Sequence, residues 1–283
     1  MQHGLFTIGA DPEVALADIK TGALKSAIPF ITGTKKAPLF FRNGANIQRD
    51  NVACEFAIPP VRSLDAFVKV MRDTMELVCQ HLPKTVTIVR GAAMDFPEEE
   101  LQHAEAKEFG CDPDFDAWLY GEPMVCEVSD RGNGTLRSFG GHIHVGYLKG
   151  SGNEFLRQMS GKIKMVQVMD ATLGLASVIH DKSTGSTLRR KLYGKAGAYR
   201  PTPYGVEYRT LSNFWIFEEK YQKLMWHLTN TALKIMRNGM TEELFKIATP
   251  AKVREAINEG NRSMAEEILE NITEIVVACK GGK

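Results

Sequence analysis

The chain has 283 residues, of which 43% are hydrophobic, and its 35 lysines and arginines nearly balance 34 aspartates and glutamates. This composition is typical of a globular protein and argues against a disordered or fibrous chain. The net charge of +1 gives no overall attraction to nucleic acid or to an acidic membrane surface, so neither is predicted as a partner. The five cysteines form no CxxC motif, the first residues carry no secretion signal, and no apolar run is long enough to span a bilayer. We therefore expect a cytoplasmic protein with reduced thiols.

Strands and irregular segments are predicted in the first half of the chain. Short runs rich in β-forming residues indicate strands at 5–10, 51–58 and 85–90. Apolar residues at helical spacing behind Ser63 predict a helix over about 63–81, with Ser63 as its N-cap. Residues 90–123 then combine turn residues with nine acids between Asp95 and Asp116. This insertion is interpreted either as a lid over a functional site or as a solvated acidic surface.

A long helix is predicted where the second half begins. Ser151 and Glu154 have the spacing of a capping box, which indicates a helix of about 28 residues across the sheet. One side of this helix carries Phe155, Met159, Ile163, Val166, Asp170 and Leu173.

Helical patterns continue from residue 214 to the end. One helix is predicted to end at Gly239, another to run from Pro250 to Gly260, and a third to be capped by Ser263 with Glu266. No linker-like stretch separates these helices from the rest. We predict an α+β fold in one domain over 1–283, with a sheet-based core over 1–216 and a helical extension over 217–283.

Polar residues two positions apart recur in segments that otherwise have the pattern of strands. The pairs are Asp11 with Glu13, His142 with His144, and Glu207 with Arg209. Residues two apart in a strand share a face, at a separation of roughly 6–7 Å. Taken singly, each pair is also consistent with a surface hydrogen bond or a cross-strand salt bridge. Their joint occurrence favours one ligand-binding face.

Glu55 is the strongest single candidate for a metal ligand. It lies between Ala53 and Ala57 in its predicted strand, and these small neighbours leave space above the sheet for a bound ion. Several carboxylates with one or two imidazoles and no thiolate favour Mg²⁺ or Mn²⁺ over structural zinc.

The segment 182–200 supplies the opposite charge. It contains no acid, is interleaved with glycines, and carries Lys182, Arg189, Arg190, Lys191, Lys195 and Arg200. Flexible backbone beside such cations suits a polyphosphate, although a basic surface loop is the alternative interpretation. The motif GxxxxGK[ST] is absent, which excludes a P-loop.

These motifs resemble the phage-type amidoligases, the carboxylate–amine ligase type 2 family of the glutamine-synthetase-like superfamily. The similarity covers roughly residues 5–216 and includes DPE, CEF, GGHIHVGY, FGCDPDFDAW and, most specifically, RRKLYGKAGAYRPTPYGVEYRTLSNFW. It implies a curved antiparallel sheet whose concave face binds ATP and divalent ions. If the gene belongs to a phage, the protein would act in the host cell cytoplasm.

The resemblance also implies roles for individual residues. The metal ligands map to Glu13, Glu55, His142 and Glu207, with Asp11 where the family usually has a longer glutamate. His144 is expected to contact phosphate or to orient a neighbour. Arg190, Lys195, Arg200 and Arg209 would bind ATP, although Arg189 competes with Arg190, and Arg209, Glu207 and Arg200 would serve catalysis.

The implied reaction is amide formation in two steps. A carboxylate attacks the γ-phosphate of ATP to give an acyl phosphate, and cations neutralise the charge on the transferring group. An amine then attacks, and Asp112 or Asp114 is the candidate acceptor of its proton. The substrates would be a carboxylate and an amine, each a small molecule or a peptide, and oligomerisation is left open.

Three other interpretations remain open. The same sheet supports phosphotransfer to guanidino compounds, which would make the protein a kinase. A non-catalytic phage protein that binds ATP or metal is the second, although none of the motif residues is lost. A zinc hydrolase using His142 and His144 is the third, and it lacks a convincing third ligand close in sequence.

Overall fold

The computed structural model describes residues 6–107, 114–124, 134–275 and 277. Its thirteen strands are β1 Phe6–Asp18, β2 Leu24–Lys25, β3 Leu39–Phe40, β4 Asn46–Asp50, β5 Ala53–Val61, β6 Val86–Val89, β7 Ala93–Asp95, β8 Phe115–Asp116, β9 Glu122–Pro123, β10 Leu136–Ser138, β11 Gly141–Tyr147, β12 Ala198–Thr202 and β13 Gly205–Tyr208. Its helices are α1 Leu64–His81, α2 Ala104–Lys107, α3 Met159–Met169, α4 Leu175–His180, α5 Ser186–Leu192, α6 Glu219–Arg237, α7 Thr241–Ile247, α8 Pro250–Glu259 and α9 Arg262–Asn271.

A large antiparallel sheet organises the described part of the chain. Its strands run in the order β3, β4, β5, β1, β11, β13, β12, β8, β9, and β2 and β6 pair with the far end of β1. The long strand β1 therefore has partners on both sides, although it contains Pro12. Pro12 has no N–H to donate, and the ladder with β5 passes from the Ala10–Ile58 pair to the Glu13–Glu55 pair. The mixed fold with a large antiparallel sheet and several helices confirms the predicted α+β class.

Strand alternation separates an apolar face from a polar one. In β11 and β13, Ile143, Val145, Val206 and Tyr208 belong to the hydrophobic core, and the residues between them project to the other side. The core also contains Leu233 and Ile257 from the C-terminal helices.

The local start and stop signals of two helices are confirmed. Ser63 caps α1 by accepting a hydrogen bond from the Ala66 N–H. Pro250 opens α8, and Gly260 ends it in the left-handed conformation at φ 65°.

The helix predicted from Ser151 begins later than expected. Glu154 does accept a hydrogen bond from the Ser151 N–H at 3.1 Å, but the turn it stabilises is a 3₁₀ turn over Glu154–Arg157. Gln158 is then extended, and α3 starts at Met159. A π-helical turn over Asp170–Gly174 joins α3 to α4.

Two further differences concern the C-terminal helices. The N-cap of α9 is Asn261, whose side chain accepts from the Met264 N–H, so the predicted cap at Ser263 was wrong. The helix α7 was not predicted. None of the helices in the described part of the chain has the length and apolar character needed to cross a membrane.

Candidate active site

The polar face of the sheet brings together residues from four strands, and we refer to Asp11, Glu13, Glu55, His142, His144 and Glu207 as the carboxylate face. The register places Asp11 opposite His142 and Glu13 opposite Glu55, on either side of β1. Glu207 of β13 lies opposite His144 on one side and Arg200 on the other. Side chains opposite each other in neighbouring strands lie close together, so the register alone assembles this face.

The carboxylate of Asp11 contacts the imidazoles of both His142 and His144. Its Oδ1 atom lies 2.9 Å from Nε2 of His144 and 3.3 Å from Nδ1 of His142, which is itself 3.6 Å from Oε1 of Glu207. Neither contact with Oδ1 is a well-directed hydrogen bond. Burial opposes ionisation of Asp11, but the charge of His144 and the contacts with both rings outweigh burial and hold its pKa well below the usual range.

The donor set fits a divalent cation. Ligand atoms of Asp11, His144 and Glu207 all lie within 4.8 Å of one another. Two carboxylates and one imidazole match the oxygen-rich sites of Mg²⁺ or Mn²⁺, and a cation would satisfy the poorly directed Asp11 oxygen. Burial lowers the pKa of His144, but the attraction of Asp11 exceeds this effect and raises it.

Glu13 and Glu55 form a second pair of acids, and Glu13 is two residues after Asp11 in β1. Glu13 accepts a hydrogen bond from the Gly140 N–H at 2.7 Å, and Glu55 accepts one from the Gln48 amide at 2.8 Å. Burial, together with the charges of Asp11 and Glu13, raises the pKa of Glu55 well above its usual value. A carboxylate so disfavoured as an anion is one that a bound cation would stabilise.

Two glycines before His142 allow the close packing of this face. A Cβ atom on Gly140 would lie 2.1 Å from Nε2 of His142, and one on Gly141 would lie 2.4 Å from the Ser212 carbonyl oxygen. No side chain fits at either position without moving the imidazole or the backbone.

Two arginines flank the carboxylate face and share one acid. Arg209 is 6% exposed, and its Nη1 atom contacts Glu207 and lies 3.1 Å from Nδ1 of His142. Its Nε atom lies 2.9 Å from Oδ1 of Asp114, which is also 3.2 Å from Nε of Arg200. Burial works against the charge of Arg209, but Glu207 and Asp114 outweigh burial and raise its pKa. The guanidinium is thus fixed in place by acids on two sides.

Asp114 was one of two candidates for the proton acceptor, and it lies in the site. The other, Asp112, is outside the described residues. Asp114 is 8% exposed, and its backbone carbonyl accepts a hydrogen bond from the Met124 N–H at 2.7 Å. Its contacts with Arg200 and Arg209 are those of a counter-ion.

The remaining cations of the segment 182–200 do not contact the carboxylate face. Helix α5 and the start of β12 take up much of this segment, so only residues 182–185 and 193–197 have the loop character that was expected. The side chain of Arg190 donates to the Ser177 carbonyl on α4 at 3.2 Å. With Lys191, Lys195 and Arg254, Arg190 lines a cavity of about 550 Å³ between α5, α8 and the β8–β9 hairpin.

Arg189 has a different role from its neighbour. It is fully buried, donating to the carbonyl oxygens of Thr210 at 2.8 Å and Arg209 at 3.1 Å, and burial lowers its pKa to about 10. Gly194 leaves room for it, because a Cβ there would lie 2.3 Å from Nη1 of Arg189. Arg189 therefore holds the backbone next to Arg209.

Tyr204 is a neighbour of the site that the sequence did not indicate. Its hydroxyl lies 2.7 Å from Nδ1 of His144, on the side of the ring away from Asp11. Such a contact orients an imidazole whose other nitrogen faces a metal site. Tyr204 is in the turn between β12 and β13, where no strand alternation indicates a face.

The sheet and its polar face define a mixed α/β protein with a candidate site for a cation next to a candidate site for an anion. The model of the family described as Phage phiEco32-like COOH.NH2 ligase-type 2 matches residues 135–281, which is more than half of the chain. The chain belongs to this family, which confirms the family resemblance. The match includes GGHIHVGY and the segment 189–215, and the motifs DPE, CEF and FGCDPDFDAW lie outside the matched residues. The sequence matches no curated protein.

Three of the solved structures that match this chain are all distant from it in sequence. A bifunctional glutathione synthetase from Pasteurella multocida has a TM-score of 0.47 and 11% identity, over 95% of this chain and 49% of that one. A structure described as a novel glutamine synthase homolog has a TM-score of 0.39 and 12% identity, over 97% and 66%. The complex between the prokaryotic ubiquitin-like protein Pup and its ligase PafA has a TM-score of 0.39 and 11% identity, over 96% and 57%. The chain spans about half to two thirds of the length of these proteins, and its family assignment rests on the sequence match alone.

Proposed function

We propose that the protein is an ATP-dependent ligase that joins a carboxylate to an amine through an acyl phosphate, with Mg²⁺ or Mn²⁺. The observation that carries the proposal is the position of Arg209, buried between Glu207 and Asp114 beside the Asp11–histidine cluster. A fixed guanidinium next to a cation site is what transfer of a phosphoryl group requires. Membership of the carboxylate–amine ligase family supports the same reaction.

The carboxylate face would hold the metal ions. Asp11, His144 and Glu207 form the group with mutually close ligand atoms, and Glu13, Glu55 and His142 are the further ligands that we propose. A bound divalent ion neutralises charge on the phosphates and helps to orient them.

The arginines would bind the transferring phosphoryl group. Arg209 is held by acids through Nε and Nη1, and no partner for its Nη2 is found among the described residues. This nitrogen is therefore the one that we propose for a phosphate oxygen, with Arg200 on the neighbouring strand as the second donor. Arg190 and Lys195 are proposed to bind the rest of the nucleotide's phosphates from the basic cavity.

The second step needs a group that accepts a proton from the attacking amine. Asp114 is the described acid of the 90–123 insertion that reaches the site, but both arginines contact the same oxygen. We propose that Asp114 acts first as the counter-ion of Arg200 and Arg209 and that Asp112 remains the alternative acceptor.

The test is ADP release in the presence of Mg²⁺ across a matrix of amino acids, short peptides and polyamines. We expect ADP only when a carboxylate and an amine are both present, with a product lighter by one water than the two substrates combined. Glu207→Gln is the matched control for contaminating ATPases, because it keeps the shape of the side chain and removes its charge. A phosphorylated product without an amine would instead identify a kinase, and hydrolysis without ATP would identify a hydrolase.

A further inference from the structure

Asp170 is a buried acid that the proposed reaction does not use. It is 0% exposed and opens the π-helical turn between α3 and α4. Because Tyr208 contacts Asp170 and alternates with Glu207 along β13, Asp170 lies on the apolar side of the sheet, opposite the carboxylate face. A buried carboxylate needs several donors to remain in such a place.

Four donors converge on this carboxylate. Oδ2 accepts from the Trp118 indole N–H and from the Gly197 N–H, both at 2.6 Å. Oδ1 accepts from the Tyr208 hydroxyl at 2.7 Å and from the Thr210 hydroxyl at 3.2 Å, and the Thr210 proton is shared with the Lys195 carbonyl oxygen at 3.1 Å. Burial is the largest influence on this acid and, despite the four donors, raises the pKa of Asp170 to about 7.

Each donor is next to a segment that carries a residue of the candidate active site. Trp118 follows β8, which begins one residue after Asp114, and Gly197 directly precedes β12, which carries Arg200. The two hydroxyls, those of Tyr208 and Thr210, belong to the residues on either side of Arg209. One carboxylate thus joins the three segments on which Asp114, Arg200 and Arg209 meet.

Neighbouring residues support the same connection. Gln167, one helical turn before Asp170, donates to the Ala117 carbonyl at 2.8 Å and so holds the segment that follows β8. A Cβ atom on Gly174 would lie 2.8 Å from the Tyr208 hydroxyl, so glycine leaves the space for the bond between Tyr208 and Asp170. A π-helical turn inside an α-helix is frequently retained at functional sites, and this turn starts at Asp170.

We propose that Asp170 is a positioning residue of the active site, which fixes from behind the sheet the three segments that bring Asp114, Arg200 and Arg209 together. The inference rests on the proposed function for its effect on catalysis. Its effect on the geometry of the two arginines is independent of the reaction.

The hydrogen bonds themselves predict which substitution is tolerated. The indole N–H of Trp118 and the backbone N–H of Gly197 can only donate, whereas the hydroxyls of Tyr208 and Thr210 can also accept. In the variant Asp170→Asn, the amide oxygen can accept from the N–H groups of Trp118 and Gly197. The two amide N–H bonds can donate to the hydroxyl oxygens of Tyr208 and Thr210. All four contacts can therefore be kept, but Asp170→Ala removes every one.

The experiment compares Asp170→Asn, Asp170→Ala and Trp118→Phe with the wild-type chain. Two properties are measured: kcat for ADP formation, and the arginine Nε–H resonances in nitrogen-15 NMR spectra, assigned through Arg200→Lys and Arg209→Lys. Thr229→Val is the matched control, because Thr229 is a buried hydroxyl of α6 whose one hydrogen bond within the described part of the chain is to the Met225 carbonyl of the same helix. Trp118→Phe keeps the test usable if Asp170→Ala does not fold.

We expect Asp170→Asn to stay within about threefold of wild-type kcat, and Asp170→Ala and Trp118→Phe to lose ~10-fold or more, because small displacements of catalytic groups are costly. The Nε–H resonances of Arg200 and Arg209 should shift in the last two variants and stay unchanged in Thr229→Val. Unchanged resonances in both Asp170→Ala and Trp118→Phe, with only a lower melting temperature, would overturn the proposal. An equal loss of activity in Asp170→Asn would also overturn it, because charge would then matter rather than hydrogen bonding. A wild-type chain that forms no ADP with any substrate pair would contradict the proposed function, and the resonances would still decide the role of Asp170.

Discussion

Replacing Arg209 by lysine distinguishes a catalytic guanidinium from a structural one. Arg209 contacts Asp114 through Nε at 2.9 Å and Glu207 through Nη1. A lysine ammonium is a single point of charge, so it can stay near one of these acids but cannot reproduce the planar fork. The substitution therefore keeps the positive charge of the site and removes the planar arrangement of donors that contacts both acids.

The structure indicates how large each effect should be. Breaking a buried ion pair completely costs about 3–5 kcal/mol. Arg209→Lys keeps a cation near Glu207, and Arg200 remains 3.2 Å from Asp114, so we expect a loss of only about 1–2 kcal/mol of unfolding free energy. Loss of a preorganised donor to the transferring group lowers kcat by ~10²-fold or more, equivalent to about 2.7 kcal/mol. The effect on rate should exceed the effect on stability.

Both quantities can be measured on one preparation. Calorimetry gives the melting temperature, a coupled assay gives ADP turnover, and titration gives the affinity for Mg-ATP, which we expect to remain within a few-fold of wild type. Near-normal turnover with a clearly lowered melting temperature would show that Arg209 is only a structural partner of Glu207. That result would remove the main support for phosphoryl transfer at this face.

Three further predictions follow from the site and its supports. Glu55→Ala should weaken Mg-ATP binding while the chain stays folded, because it removes a proposed ligand from a multi-ligand site; unchanged binding in calorimetry would exclude Glu55 as a ligand. His142→Ala and His144→Ala should each weaken Mn²⁺ binding measured by electron paramagnetic resonance, and if neither does, the imidazoles do not belong to the metal site. Because the pKa of Asp170 is raised to about 7 from an ordinary value of 3.8, its contribution to stability should be full below pH 4 and should be lost as the pH rises to 7, by about 4 kcal/mol. Urea unfolding should therefore show the stability of wild type relative to Asp170→Asn falling between pH 4 and pH 8; a constant difference would show that Asp170 does not titrate in this range.

The sequence predicted those parts of the site that depend on strand alternation. Residues two apart in a strand share a face whatever the order of the strands in the sheet. The two members of each pair in β1, β11 and β13 could therefore be placed on the same side of their own strand before any strand pairing was known. The caps Ser63 and Pro250 act within a few residues and were equally accessible. The register that sets Asp11 against His142 depends on contacts distant in the chain, and only the structure provides it.

The remaining site residues are determined by tertiary packing. Asp114 reaches the arginines because β8 pairs with β12, and β8 has only two residues, too few for a recognisable pattern. The choice between Arg189 and Arg190 depends on which side of α5 faces the sheet. Asp170 did leave a signal, an acid in an otherwise apolar helical stripe, which needs a buried partner wherever it occurs.

The distance along the chain between the strands of the carboxylate face determines when this face can form. Asp11 and His142 are paired although 131 positions separate them, and Glu207 comes 65 positions after His142. Contacts over such separations form slowly, because the intervening chain must be ordered before they contribute stability. During synthesis β1 can pair with β5 early, but its other edge stays open until β11 has left the ribosome. A nascent chain arrested before β13 therefore has an exposed strand edge and an incomplete carboxylate face, and it is in this interval that aggregation competes with folding.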